Sequence, residues 1–110
     1  MAVVVHHRKE PFDVFIARPS IWGNPYSRHR ASDDEFRVET RAEAIEKYEA
    51  YVRGSEWLLR HLPELRGKRL GCWCAPKPCH GDVLVKLLAE VEAGTLLIPP
   101  EPTLDELVPD

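Results

Sequence analysis

Arg69-Leu70-Gly71-Cys72-Trp73-Cys74-Ala75-Pro76-Lys77-Pro78-Cys79-His80-Gly81-Asp82-Val83-Leu84 (residues 69–84) is the stretch that decides the fold. Its first six residues have the length and apolar content of a short strand. Ala75-Pro76-Lys77-Pro78 ends that strand, because proline has no amide proton to give to a ladder. A helix then starts near Cys79 or His80. Its apolar residues Val83, Leu84, Leu87, Leu88 and Val91 recur at helical spacing up to Gly94, a residue suited to a helix end. A strand, a stiff turn and an amphipathic helix form the repeating step of an α/β sheet.

The segments on either side agree. Upstream, Thr40-Arg41-Ala42-Glu43 has the form of a capping box, followed by Ala44, Ile45, Tyr48, Tyr51 and Val52 at helical spacing and by Gly54. Ser55 is placed to cap a second helix through Trp57, Leu58, Leu59 and Leu62, which Pro63 closes; Trp57 is expected in the core. Two strand-like runs, Val3-Val4-Val5 and Asp13-Val14-Phe15-Ile16, open the chain, either as a hairpin or apart in one sheet. Between them and the first helix, Arg18 through Tyr26 form a shaped loop rich in Pro, Gly and Asn. Residues 27–39 form an exposed polar connection that includes His29 and the pair Asp33-Asp34. The pattern predicts one small α/β domain of two or three layers over residues 1–94. It has a short, partly parallel sheet of three or four strands and about three helices. Residues 95–110 are a Pro-rich acidic tail, expected to pack through Leu96, Leu97 and Ile98 and then to fray.

Composition narrows the function. With 110 residues, 44% of them apolar, the chain is long enough for one core without disulfide staples. No apolar run approaches the roughly 20 residues of a membrane span, and the start has no secretory pattern, so the expectation is a cytoplasmic protein with no membrane partner. The net charge of −3 argues against an extended nucleic-acid surface. The charge is uneven, however. Arg8, Lys9, Arg18, Arg28 and Arg30 stand against Glu10 and Asp13 in the first 30 residues, while the last ten hold Glu101, Asp105, Glu106 and Asp110 and no base. A basic front half suits a phosphate or carboxylate ligand.

The three cysteines lie within eight residues, which is no disulfide framework. Two chemical readings stand beside a plain structural one. In the first, Cys79 is a thiol activated by a helix N-terminus and by His80, with Asp82 orienting the imidazole or acting as a base. In the second, Cys72, Cys74, Cys79 and His80 hold zinc or iron in a non-catalytic adaptor module. In the third, they are small side chains under a capped helix. Separately, Arg18 suits an anion, Asn24 a base or sugar edge, and Trp22 or Tyr26 a stacked ring. His6 and His7 read as strand-edge or solvent residues. Together these features predict a site for a small anionic metabolite, a nucleotide or a modified base. It would lie between the Arg18–Asn24 loop and the helix that starts near Cys79, at the carboxyl edge of the sheet, with Cys79, His80 and Asp82 facing the ligand as the catalytic residues of a small enzyme.

The segments Asp13–Pro19, Trp22-Gly23-Asn24-Pro25, Leu70–Pro76 and Cys79-His80-Gly81-Asp82-Val83-Leu84 together resemble the small bacterial and phage family called domain of unknown function 4326, over about residues 5–90. The resemblance implies a single compact α/β domain. It also implies that Arg18, Trp22, Asn24, Pro25, Cys72, Cys74, Cys79, His80 and Asp82 are the positions by which the family is recognised. It supplies positions and no reaction. Ala17 stands where the family pattern has glycine.

Overall fold

A computed structural model describes residues 2–28 and 34–100. Three strands, β1 (Val3–His6), β2 (Val14–Phe15) and β3 (Arg69–Cys72), form one sheet in the order β1-β3-β2. Both outer strands run parallel to β3, with Val4 and Val14 each level with Leu70. The two opening runs are therefore not a hairpin. They flank the strand that comes last, and the sheet is wholly parallel.

Three helices follow the sequence pattern closely: α1 (Arg41–Arg53), α2 (Glu56–His61) and α3 (His80–Ala93). Thr40 Oγ1 accepts from the Glu43 amide and Ser55 Oγ from the Leu58 amide, each satisfying a donor that the helix start leaves free. The α2 helix continues into a 3-10 turn, Leu62–Leu65, that contains Pro63. Gly94, with φ +81°, ends α3 in the left-handed region that glycine enters without a Cβ clash.

Side chains alternate across a strand, so Val4, Leu70, Val14 and Cys72 share one face. The helices cover that face, and the core of Ile16, Tyr48, Val52, Leu62, Leu70, Leu84 and Leu87 sits between. Tyr48 is fully buried, and its hydroxyl donates to the Trp22 carbonyl at 2.7 Å, which removes the cost of burying a phenol. On the opposite face the link from β1 to β2 brings Phe12 down onto Gly71. The start of α3 comes just as near the sheet. A Cβ on Gly81 would lie 2.8 Å from Ile16 Cδ1 and 2.9 Å from Val4 Cγ2, so only glycine lets the helix begin there.

Trp57 departs from expectation. The short α2 turns it outward, 51% exposed, against His61, while Trp22 from the early loop is the tryptophan in the core. Beyond Gly94, Leu96 and Ile98 pack against the core while Leu97 stays exposed. His29, Asp33 and residues 101–110, and with them the expected fraying of the tail, lie outside the described residues. No helix among the described residues is long and apolar enough to cross a membrane.

The two tryptophans should separate cleanly in chemical denaturation. Trp22→Ala should cost about 3–5 kcal/mol of unfolding free energy. Trp57→Ala should cost about 1 kcal/mol or less.

Candidate functional site

Parallel strands deliver the following segments to one edge of the sheet, and here the segments after β2 and β3 enclose a cavity of about 420 Å³. Its walls are Ala17, Arg18 and the Asn24–Arg28 stretch after β2, the Trp73–His80 segment after β3, and the first turn of α1. The loop that carries the tryptophan-bounded turn and the corner that carries the cysteines thus close over the same hollow.

Hydrogen bonds between distant segments hold the walls in register. Asn24 is a brace: its Nδ2 donates to the Ala44 carbonyl at 3.2 Å and its Oδ1 accepts from the Tyr26 amide at 2.9 Å. Both ends of the amide expected to read a base or sugar edge are thereby joined to backbone, and the loop is tied to α1. Gly23 permits the loop's inner turn, since a Cβ there would stand 2.7 Å from Arg18 Cγ. Arg41 Nη1 donates to the Pro78 carbonyl at 3.3 Å and joins α1 to the β3–α3 segment. Ser27 and Arg37 form a parallel bridge that pins the loop's end.

The cavity is positive. Arg18, Arg28 and Arg41 line it, and no described carboxylate does. Of these three, sequence reasoning gave a ligand contact to Arg18 and counted Arg28 in the basic front half; Arg41 was hidden by its place inside a capping sequence. Tyr26 and Trp73 supply the aromatic surface. Trp73 is 51% exposed and is propped from outside the cavity, with the His7 ring 4.0 Å away and the Arg8 guanidinium 4.7 Å from its own ring. His7 is therefore no solvent residue. Its Nε2 is buried with no hydrogen-bond partner among the described residues, and desolvation together with the charges of His6 and Arg8 lowers its pKa.

The α3 end of the cavity differs chemically from what the sequence suggests. Cys79 is the N-cap: its Sγ accepts from the Gly81 amide at 3.2 Å, and its own amide donates to Asp82 Oδ2 at 3.0 Å. The first of the three sequence readings has this thiol acidified by the helix start. Instead burial, and then the Cys72 thiol with its sulfur 3.4 Å away, push Cys79 up to about 12. It is a thiol, not a thiolate, at neutral pH. Asp82 is exposed and serves as the reciprocal cap, and it is not among the lining residues. Trp22 is likewise in the core and off the cavity wall.

His80 is the first residue of α3 and lines the cavity. Its Nε2 lies 2.7 Å from the Ile16 carbonyl, an acceptor only, so Nε2 carries the proton. Burial holds its pKa below the ordinary value, outweighing the raising effects of the Ile16 bond and of Asp82. Among the described residues no group of three or more His, Cys, Asp or Glu is arranged to hold a metal ion. Cys72 and Cys79 touch, but the imidazole is turned to Ile16, so Cys72, Cys74, Cys79 and His80 do not converge. Cys74, half-buried, lines the cavity apart from the touching Cys72–Cys79 pair, of which Cys79 also reaches the wall.

Two outcomes test this geometry. Above about pH 6.5 His80 is neutral whether folded or unfolded; below it the unfolded chain takes up a proton that the folded chain resists. Stability should therefore fall as pH drops through about 6.5, His7 adding to the effect, and His80→Gln, which keeps a donor for Ile16, should make that fall shallower in denaturant titrations across pH. In the folded protein at pH 8, iodoacetamide should label Cys74 first and leave Cys72 and Cys79 until the chain unfolds, read by mass spectrometry of the peptides.

Comparison with known proteins places this geometry in a family. The model described as Domain of unknown function (DUF4326) matches residues 3–90. The chain is 38% identical over 89 residues to the "Uncharacterized 12.4 kDa protein in nrdA-td intergenic region" of Enterobacteria phage T4, covering 77% of this chain and 75% of the phage protein. It is 32% identical over 81 residues to the "Uncharacterized protein R718" of Acanthamoeba polyphaga mimivirus, covering 66% of this chain and 56% of that protein. No solved structure matches. The chain belongs to the domain of unknown function 4326 family.

Proposed function

We propose that this member of the family binds a small phosphate-bearing ligand with a flat ring, a nucleotide or a modified base carrying phosphate, in the cavity at the carboxyl edge of its sheet. The observation that carries the reading is the coincidence of three arginines and two aromatic rings around one space of about 420 Å³ from which described carboxylates are absent. That volume falls within the range of small-ligand sites, roughly 300–1,000 Å³. Guanidinium groups bind phosphate with paired donors, and Tyr26 or Trp73 offers a face on which a base can stack. The first turn of α1 adds its dipole beside Arg41.

Binding is favoured over chemistry at Cys79 because its Sγ is engaged as the N-cap of α3, accepting from the Gly81 amide, and burial holds the thiol protonated. In this reading Cys79 and Asp82 shape and cap the wall, and Asn24 sets the distance between the loop and α1. Any reaction at this site would draw on groups on the ligand itself, on the neutral imidazole of His80 at the cavity wall and on the arginines, which stabilise charge developing on a phosphate.

Isothermal titration calorimetry at low salt tests the proposal with adenosine 5′-monophosphate and inorganic phosphate as probes. The nucleotide should bind with a dissociation constant below about 1 mM and more tightly than phosphate, each tenfold being about 1.4 kcal/mol. Its affinity should drop as salt rises, and Arg18→Gln should weaken it roughly tenfold, a loss on the scale of one charge-assisted hydrogen bond. Absence of heat for both probes in the folded protein would reject the reading.

A further inference from the structure

Two helices present their N-termini to the cavity, and they are in opposite states. At α3 the positive end is already satisfied. The Cys79 amide is taken by the Asp82 carboxylate and the Gly81 amide by Cys79 Sγ, while the Asp82 amide is bonded to the Cys79 carbonyl. Asp82 also brings a negative charge to that turn. An anion placed there would find few free donors and a carboxylate beside them. At α1 the Glu43 and Ala44 amides are taken by Thr40, and the Glu43 carboxylate is paired with Lys47 3.7 Å away, off the cavity wall, while the Arg41 and Ala42 amides precede any acceptor in the helix. The Arg41 side chain lines the cavity at this end, and Arg18 and Arg28 line it from the loop.

His80 completes the contrast. Its proton is committed to Ile16 through Nε2, and the Tyr48 ring stands roughly perpendicular to its own, with the ring centres 5.0 Å apart. What remains is the Nδ1 lone pair, which makes no hydrogen bond among the described residues and belongs to a side chain on the cavity wall. A lone pair in that position accepts and does not donate.

From this asymmetry we infer that the ligand is held in one polarity: its phosphate lies against Arg18, Arg28 and Arg41 at the α1 end, and a hydroxyl or N–H group at its other end donates to Nδ1 of His80. The inference rests on the reading of the cavity as a phosphate-ligand site and narrows it. The ligand class becomes one with a phosphate at one end and a hydrogen-bond donor at the other, such as a sugar hydroxyl or an exocyclic amine. Inorganic phosphate satisfies only half of the site. A ligand whose donor is methylated or deleted leaves the lone pair unpaired.

Two measurements on the full chain test it. The first follows the ring nitrogens of His80 by nitrogen-15 NMR in the wild-type protein, without ligand, with inorganic phosphate and with adenosine 5′-monophosphate. The free protein should show the tautomer protonated at Nε2. The Nδ1 resonance should move when the nucleotide binds and hardly move with phosphate alone. The second compares the nucleotide with its 2′,3′-dideoxy and N6,N6-dimethyl analogues by calorimetry. At least one analogue should bind roughly three- to tenfold more weakly, and that ratio should collapse in His80→Gln while phosphate affinity stays as in the wild type. If nucleotide and phosphate both bind but Nδ1 responds alike to each, or all three nucleotides bind equally, the polarity is overturned while the phosphate site stands. If neither probe binds, both readings fall. The NMR arm needs no variant, so a His80→Gln protein that does not fold leaves the test intact.

Discussion

The imidazole of His80 donates its Nε2 proton to the carbonyl of Ile16 at 2.7 Å, joining two residues 64 apart in the chain. Ile16 follows β2 directly and is itself bonded through its amide to Gly71 of β3. One short hydrogen bond therefore fixes the start of α3 to the last residues of both strands that border the cavity. Buried between Tyr48 and Ile16, it is made in a setting where a lost partner would leave a polar group without water, so the junction tolerates little freedom. Gly81, the next residue, lets the helix come near enough for the bond to form. The same contact fixes the tautomer of His80 and so the chemistry that its other nitrogen brings to the cavity.

The remaining walls are attached to this junction by weaker ties. Asn24 holds the loop after β2 to the first turns of α1, and Arg41 holds α1 to the Pro78 carbonyl just before α3. Three backbone segments thus support one another around a space that holds positive side chains without a described counter-ion. In a protein of net charge −3 such a concentration of guanidinium groups is an electrostatic cost unless an anion relieves it. The two helix starts differ: Cys79 and Asp82 cap one reciprocally, while Thr40 caps the other but leaves the Arg41 and Ala42 amides without an acceptor in the helix.

Features with local causes were legible in the sequence. Thr40, Ser55 and Gly94 bound their helices through contacts within a turn, so spacing alone revealed them. The meeting of the Arg18 loop with the Cys79 corner was also legible, because parallel strands place the segments that follow them at a common edge. What was hidden depends on partners far along the chain. Asn24 looked like a reader of bases because its own acceptor, Ala44, lies 20 residues away. Trp22 and Trp57 exchanged their expected places because a helix of only six residues presents too little face to decide which side is buried. Cys79 looked acidified because a helix N-terminus lowers a thiol's pKa. Burial and the neighbouring Cys72 sulfur, which a sequence does not reveal, outweigh that effect.

Amide chemical-shift mapping of the folded chain titrated with inorganic phosphate tests the central claim most directly. The account predicts saturable shifts clustered at Ala17–Arg28 and the first turn of α1, with smaller ones at Cys79–Gly81. Shifts scattered over the surface or gathered elsewhere, with the cavity residues unmoved, would contradict it.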